Sequence, residues 1–427
     1  MDTKKRIIAL NNAATTAPFP ETLKAVNNFL QSYGAFHRGA GPNATKTYEK
    51  VHEAIVTIRK FMQFKNDQSL LFTQNTSAAI NLFVRMLLLK NTDVVITSDI
   101  EHTSNYLPWR FNSQAKLVFC KTALDGSIDM DDLAKKADIY KKHLRVIAIT
   151  GASNLTGYIP NLKQISRIAH MYGALLFVDA AQLAPHRQLQ MRNNGVDALA
   201  FSAHKLYAPF GIGVLAVPKN MLSQNSVDPA GGSINMISDK EIIWSSPDHR
   251  HQSGTWNVTG IIALARSCEV MMKKGWPRIM AHEHALRRYA VRNLQKIKGL
   301  RLMIDLSESL SVDRIGTIPF VLDGYHHALV SAILEHEYGI ETRSGTICNH
   351  RLVRRWFNIS DAQQKVIERK IRDGNLLASY GIVRVSIGVQ NTKQDIDALV
   401  NALTSISKSG PRLQYKALPK EEVYIPL

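Results

Sequence analysis

Residues 197–215 read DALAFSAHKLYAPFGIGVL: an apolar run closing in small residues, then a histidine and a lysine, then a second apolar run. Ala198 to Ala203 has the length and composition of a buried strand, and Ile212 to Val217 supplies another a few residues later. Lys205 therefore stands at a strand end, close to a core. The ordinary account of such a lysine is a stem lying on apolar surface with the ammonium reaching water. Whether Lys205 does more depends on what else the chain brings to the same edge.

From about residue 20 to 220 the chain alternates. A helical pattern runs from about Lys46 to Phe64, SLLFTQN reads as a strand, and a helix from about Ser77 to Leu89 follows. Next come the strands DVVITSD and AKLVFCKT, a helix at GSIDMDDLAKKAD, the strand RVIAITGA, the helix NLKQISRIAHMYG and the strand ALLFVDAA. Such alternation predicts an α/β fold with a mostly parallel, seven-stranded-type sheet between helices, whose ligands bind at the carboxyl ends of the strands. From about Thr259 a long helical stretch and scattered strands, GTIPFVL and GIVRVSIG among them, predict a smaller α+β domain. The expected division is a large domain over 20–258 and a small one built from 1–19 and 259–427, the latter ending in a surface extension, SKSGPRLQYKALPKEEVYIPL.

At 427 residues, 45% hydrophobic and 21% charged, the chain has material for two cores and reads as an ordinary soluble globular protein. No apolar stretch is long enough to span a membrane, and MDTKKRIIALNN lacks the pattern of a signal peptide. Three well-separated cysteines, Cys120, Cys268 and Cys348, argue against a disulfide framework and a cysteine-based zinc site, and the expected location is a reducing cytoplasm. The net charge of +18 favours anionic partners. The basic residues are nevertheless spread over KKADIYKKHLR, LRRYAVRNLQKIK and RLVRRW without the aromatic repeats of a base-stacking platform, so a solvated charged surface accounts for them better than nucleic-acid binding.

The predicted strand ends carry Asn75, Thr76 and Ser77 at a helix start, His102, Asn154, Asp179 with Gln182, and Ser202, His204 and Lys205. Each alone is explained as a cap, a turn or a satisfied polar residue; together they fall on one rim of one sheet. A lysine for a Schiff base, a carboxylate to keep a pyridine nitrogen protonated, an imidazole to cover the ring and a hydroxyl-bearing helix start for a phosphate form the set that pyridoxal 5′-phosphate (PLP) requires.

At this point the sequence resembles a known family: the class V aminotransferases of the fold-type I PLP enzymes, and within it the cysteine desulfurase and selenocysteine lyase group. The resemblance runs from about Leu10 to Leu403 on LNNAATT, HRGAG, QNTSAAIN, EHTSNYLPW, SNLTG, VDAAQ, SAHKLYAPFGIG, SGTWN, TRSGTIC and RVSIGVQNT. It implies that Lys205 carries PLP, Asp179 pairs with the pyridine nitrogen, Gln182 bonds the ring hydroxyl and His102 stacks on the ring. Thr76, Ser77, Ser202 and His204 would hold the phosphate, and Thr255 would reach the phosphate of a neighbouring subunit, which implies a homodimer. Asn154 and Arg384, with Arg343 and His37, would bind substrate. Arginine suits the carboxylate because its planar fork donates two parallel hydrogen bonds, although Arg384 on its own reads as an edge-strand residue facing water.

Cys348, sixth in an Arg-x-Gly-x-x-Cys run counted from Arg343, resembles the desulfurase nucleophile, and arginines at 343 and 351 favour its thiolate. The implied reaction converts L-cysteine, or L-selenocysteine, to L-alanine and leaves a persulfide on Cys348 for a sulfur-acceptor protein, with iron–sulfur cluster assembly among the uses. The chain departs from the family pattern at Asn75, Ala208 and Trp256 and in the 35 residues separating Cys348 from Arg384. Those departures leave open another C–S lyase or an amino-acid epimerase in which Cys348 is a bystander. An RNA- or acceptor-binding module with a vestigial site is argued against by the intact set of Lys205, Asp179, Gln182 and His102.

Overall fold

The structure, a computed structural model, describes residues 6–36, 39–64, 67–223, 225–305 and 312–427. Its centre is a seven-stranded sheet in the order Gln68–Thr73, Gly213–Pro218, Ala198–Ser202, Leu175–Asp179, Leu144–Thr150, Val94–Ser98, Lys116–Cys120. Only Gly213–Pro218 runs against the others, pairing antiparallel with Ala198–Ser202 on one side and Gln68–Thr73 on the other. Successive residues feed opposite cores: Ile96, Ile147, Val178 and Leu199 enter one cluster, while Val95, Val146, Phe177 and Ala200 enter the other. Burial on both faces explains why these strands read as continuous apolar runs rather than alternating ones.

Helix starts carry local signals. Pro42 opens Pro42–Met62 after Gly41 at φ 99°, four residues earlier than the apolar periodicity alone predicts, because proline pre-sets the first helical turn without contributing to that periodicity. Asn75 caps Thr76–Met86, its side chain accepting the Ala78 N–H at 2.9 Å. Helix Val258–Lys274 packs against Pro20–Leu30 and Pro42–Met62 and stops at Gly275, where Trp276–Leu294 begins.

A second, antiparallel sheet has the order Leu300–Leu302, Thr317–Leu322, Ile382–Ser386, Arg343–Gly345. The N-terminal segment belongs beside it: Ile8–Ala9 pairs in parallel with Ile340–Glu341, and Asn11 bridges Ser386. From there the chain passes to the large sheet, where Thr16 N–H donates to the His204 carbonyl at 2.9 Å. The tail, expected as a plain surface extension, forms a hairpin of Tyr415–Leu418 and Val423–Pro426.

One glycine sets how closely the sheet approaches the first helix cap. A Cβ on Gly213 would fall 2.5–2.7 Å from the Asn75 backbone, nearer than real atoms come. Gly213→Ala is therefore expected to displace the Asn75–Ser77 turn, at a cost of about 1–3 kcal/mol. Thermal melting and the fraction of PLP retained through desalting measure it: both should drop, and unchanged values would mean that the turn can shift freely.

Candidate active site

The carboxyl ends of the parallel strands and the edge of the second sheet enclose one cavity of about 380 Å³. Its lining includes Thr76, Ser77, His102, Asn154, Asp179, Gln182, Ser202, His204, Lys205, Arg343, Cys348 and Arg384, together with Ala13, Ala14 and Ser104. The expected site residues thus converge, with two exceptions. Thr255 lies outside this cavity, on the surface beside Gln252 and Gly254. His37 lies outside the described residues.

Lys205 ends a single 3₁₀ turn, Ala203–Lys205, that directly follows strand Ala198–Ser202. The turn is fixed by the Leu206 and Ala208 N–H groups, both donating to the Ala203 carbonyl, and by Tyr207 N–H donating to Thr16 Oγ1 at 2.8 Å. Lys205 faces the cavity rather than bulk water, so the snorkelling account does not hold for it. Burial pushes its ammonium below the ordinary lysine value; Asp179 opposes that shift, Arg384 adds to it and Cys348 opposes it. A lysine so placed releases its proton more readily than one in water.

Asp179 closes strand Leu175–Asp179, is 4% exposed, and accepts the Ala181 N–H at 3.0 Å. Burial raises its pKa, and the Ala181 N–H and Lys205 pull it back. Gln182 donates through Nε2 to the Ala13 carbonyl at 2.7 Å, while its buried Oε1 has no hydrogen-bond partner. The Thr76 N–H donates to Ser202 Oγ at 2.6 Å, and the two residues' hydroxyls also lie 2.6 Å apart. Ser77 Oγ meets Ser104 Oγ at 2.7 Å. Hydroxyls from three segments thus gather at the N-terminus of an eleven-residue helix, where the backbone dipole favours an anion.

His102 caps the 3₁₀ turn Thr103–Asn105 with Nδ1, which accepts the Ser104 N–H at 3.1 Å. An accepting Nδ1 puts the proton of the neutral ring on Nε2. Burial, with Lys205 and Arg384 nearby, pushes its pKa down to about 3, so the ring is neutral at any working pH. His204, pushed down to about 4 by burial and by Lys205, is neutral as well. Beneath the His102 turn lies a buried carboxyl with no individual signal in the sequence. Glu101 accepts from Ser98 Oγ at 2.5 Å and Asn105 Nδ2 at 2.6 Å, and Asn105 in turn accepts from Trp109 Nε1 at 3.1 Å. Burial raises Glu101 to about 8 against those hydrogen bonds. Ser104 has no individual sequence signal either; both lie in EHTSNYLPW, where only His102 stands out as chemically distinctive.

Arg384 lies on Ile382–Ser386, an inner strand of the second sheet, and is 1% exposed. The edge-strand reading fails because Arg343–Gly345 pairs outside it. It donates to the Asn154 carbonyl at 3.0 Å and Asn11 Oδ1 at 3.2 Å, and its buried Nε has no hydrogen-bond partner. Burial, with Arg343 adding to the effect, lowers it to about 9. Asn154 itself is engaged, donating through Nδ2 to the Ile347 carbonyl at 2.9 Å.

That bond helps to hold the Cys348 loop. Ile347 and Cys348 both adopt left-handed backbone, at φ 50° and 57°, an uncommon conformation for a β-branched residue. The loop is held by the Asn154 bond, by Thr103 N–H donating to the Cys348 carbonyl at 3.0 Å, and by Asn349 Nδ2 donating to the Ile100 carbonyl at 2.7 Å. Cys348 is half-exposed on the cavity wall, whereas Cys120 and Cys268 are buried, with thiols that burial pushes up. The cations that interact electrostatically with Cys348 include Lys205 and Arg384. The Arg351 guanidinium lies over the Phe119 ring, 4.0 Å from its centre.

Orphaned acceptor and donor atoms at Gln182 and Arg384, a buried carboxylate, a lysine and a hydroxyl-lined helix start fit PLP with an amino acid beside it. Among the described residues no cluster of metal-ligating side chains occurs, and no helix is long and apolar enough to cross a membrane.

Comparison with known proteins agrees. The aminotransferase class-V family model matches residues 8–399. A "Probable cysteine desulfurase" of Halalkalibacterium halodurans is 30% identical over 409 residues, covering 93% of this chain and 92% of its own. A protein of the same description from Staphylococcus aureus is 30% identical over 410 residues, covering the same shares. The apo structure of cysteine desulfurase from Thermococcus onnurineus superposes with a TM-score of 0.82 at 26% identity, over 94% of this chain and 95% of that one. The cysteine desulfurase CsdA from Escherichia coli gives 0.77 at 26%, over 93% and 94%. The chain belongs to the aminotransferase class-V family of PLP-dependent enzymes.

Proposed function

We propose that this protein is a cysteine desulfurase that converts L-cysteine to L-alanine and keeps the sulfur as a persulfide on Cys348 for delivery to an acceptor protein. One observation carries the reading: a half-exposed cysteine on a hydrogen-bonded loop shares a single cavity with a lysine, a buried carboxylate and a buried arginine. Lys205 would be the attachment point of PLP, Asp179 the partner of its pyridine nitrogen, Gln182 of its ring hydroxyl, and His102 the cover of its face. Thr76, Ser77, Ser202 and the neutral His204 would hold its phosphate. When bound, PLP supplies an electron sink that stabilises negative charge at the substrate α carbon.

The chain's own residues do the rest. Arg384 holds the substrate carboxylate, with Asn154 fixing both Arg384 and the loop that carries Cys348. Lys205, its proton affinity lowered by burial, takes the α proton and later returns a proton to carbon. The Cys348 thiolate attacks the substrate sulfur: an S–S bond forms, the carbon–sulfur bond breaks with its electron pair going to carbon, and that carbon is protonated. One L-cysteine and one thiol thus give one L-alanine and one persulfide, with no outside oxidant or reductant. Three free cysteines suit a reducing compartment such as the cytoplasm. Thr255, outside its own cavity, is offered to the phosphate of a second copy, so the working form is a homodimer.

The reading is tested by product analysis. L-Cysteine with a reductant should give alanine and sulfide in equal amounts, and L-selenocysteine should give alanine and selenide. Pyruvate, or racemised amino acid with no sulfide, would mean a different reaction on the same scaffold. Asp179→Asn should bind PLP yet turn over at least about a hundredfold more slowly, because the pyridine nitrogen loses a buried charge partner. Near-normal turnover in that variant would make the carboxylate structural.

A further inference from the structure

The turn that carries His102 reaches two other segments of the cavity: Ser104 Oγ meets Ser77 Oγ at 2.7 Å, and Thr103 N–H donates to the Cys348 carbonyl at 3.0 Å. On its other side a chain of buried polar side chains ties it to the core. Glu101, Asn105 and Trp109 are 5%, 0% and 1% exposed. Asn105 is the pivot. Its backbone N–H donates to the His102 carbonyl at 2.8 Å, its Nδ2 donates to Glu101 Oε2 at 2.6 Å, and its Oδ1 accepts from Trp109 Nε1 at 3.1 Å. The other oxygen of Glu101 accepts from Ser98 Oγ at 2.5 Å, and Ser98 is the last residue of strand Val94–Ser98. At the far end the Trp109 ring stands edge-on to Phe83 and Phe177, and Phe177 belongs to the strand that closes in Asp179.

Burying a polar chain costs desolvation that packed apolar side chains would avoid, so what such a chain adds is direction rather than net stability. Here each link has a fixed partner on either side, and the chain joins a strand end to the residue whose N–H closes the His102 turn. The partners of Glu101 in it, a hydroxyl and an amide, are uncharged. Burial raises its carboxyl to about 8, so near neutral pH it acts through hydrogen bonds rather than charge.

We propose that Glu101 is a positioning residue: through Asn105 it fixes the turn Thr103–Asn105 and with it the orientation of the His102 ring in the cavity. The proposal rests on the reading of His102 as the cover of PLP, and not on which amino acid reacts.

The test is the visible circular dichroism of the PLP-loaded enzyme. PLP is achiral, so the amplitude of its band reports how firmly the protein holds the ring. Glu101→Ala should weaken that band as His102→Ala does, and should lower turnover by at least about tenfold through misplacement alone. In the His102→Ala background it should weaken the band no further, because both changes act on one imidazole. Glu101→Gln, which keeps the length, the acceptor for Asn105 and a group that can bond Ser98, should restore the wild-type band. Asn105→Ala severs the chain one link on and should weaken the band in the same way, which decides the matter should Glu101→Ala not fold. A purely structural role would lower the melting temperature and leave the band unchanged, or weaken it equally with and without His102; either result overturns the proposal. A band unchanged in His102→Ala itself would count against the cover reading, whereas a band that responds to His102→Ala and not to Glu101→Ala or Asn105→Ala refutes the positioning role alone.

Discussion

Lys205→Ala is expected to abolish turnover, by at least about a thousandfold, and to leave no cofactor covalently trapped on the protein after borohydride treatment. The first effect follows from removing the group proposed to move the α proton, a role that contributes ~10²–10⁴ on its own. The second follows from removing the amine that would hold PLP. The fold should survive, because the turn that carries Lys205 is held by backbone bonds to Ala203 and by the Tyr207 N–H on Thr16. Far-UV circular dichroism and melting temperature would establish that, and PLP should still bind reversibly through the hydroxyls of Thr76 and Ser202 and through Asp179. A variant that keeps its trapped adduct would place the attachment on another lysine.

Cys348→Ala should separate substrate binding from sulfur transfer. Lys205, Asp179 and Arg384 are untouched, so the spectral change on adding L-cysteine should persist. Alanine formation should fall at least about a hundredfold, because an external thiol cannot match the effective concentration of a nucleophile fixed in the cavity. The loop should keep its conformation without the thiol, since its anchors are the Ile347 and Cys348 carbonyls and the Asn349 side chain. L-Selenocysteine is the informative companion substrate. Its weaker carbon–selenium bond permits release without Cys348, so retention of that activity alone agrees with the account, whereas undiminished L-cysteine desulfuration contradicts it.

What the sequence discloses and what it hides divide along the range of the interactions. The alternation of strands and helices, the cap at Asn75 and the strand ends bearing Asp179 and Lys205 are local signals, and each lies where the pattern predicts. The direction of Gly213–Pro218 is not local: an apolar run says nothing of orientation, and its antiparallel insertion is set by pairing with Gln68–Thr73, far away in the chain. Arg384 illustrates the same limit. Alone it reads as an exposed edge residue, and only the pairing of Arg343–Gly345 on its outer side buries it. Glu101 is legible only in three dimensions, because a carboxyl held by Ser98 and Asn105 beside the His102 turn looks in sequence like any surface glutamate. The terminal hairpin is hidden for a related reason: its anchor, Glu337, lies 78 residues before Tyr415, and its strands carry too little apolar periodicity to stand out.

The most direct test of the central claim is the mass of the peptide containing Cys348 after wild-type enzyme, loaded with PLP, meets L-cysteine without a reductant. The account predicts one added sulfur on that peptide, none on those containing Cys120 or Cys268, and one L-alanine released per persulfide formed. An unmodified Cys348 peptide from enzyme that has nonetheless consumed L-cysteine would contradict it.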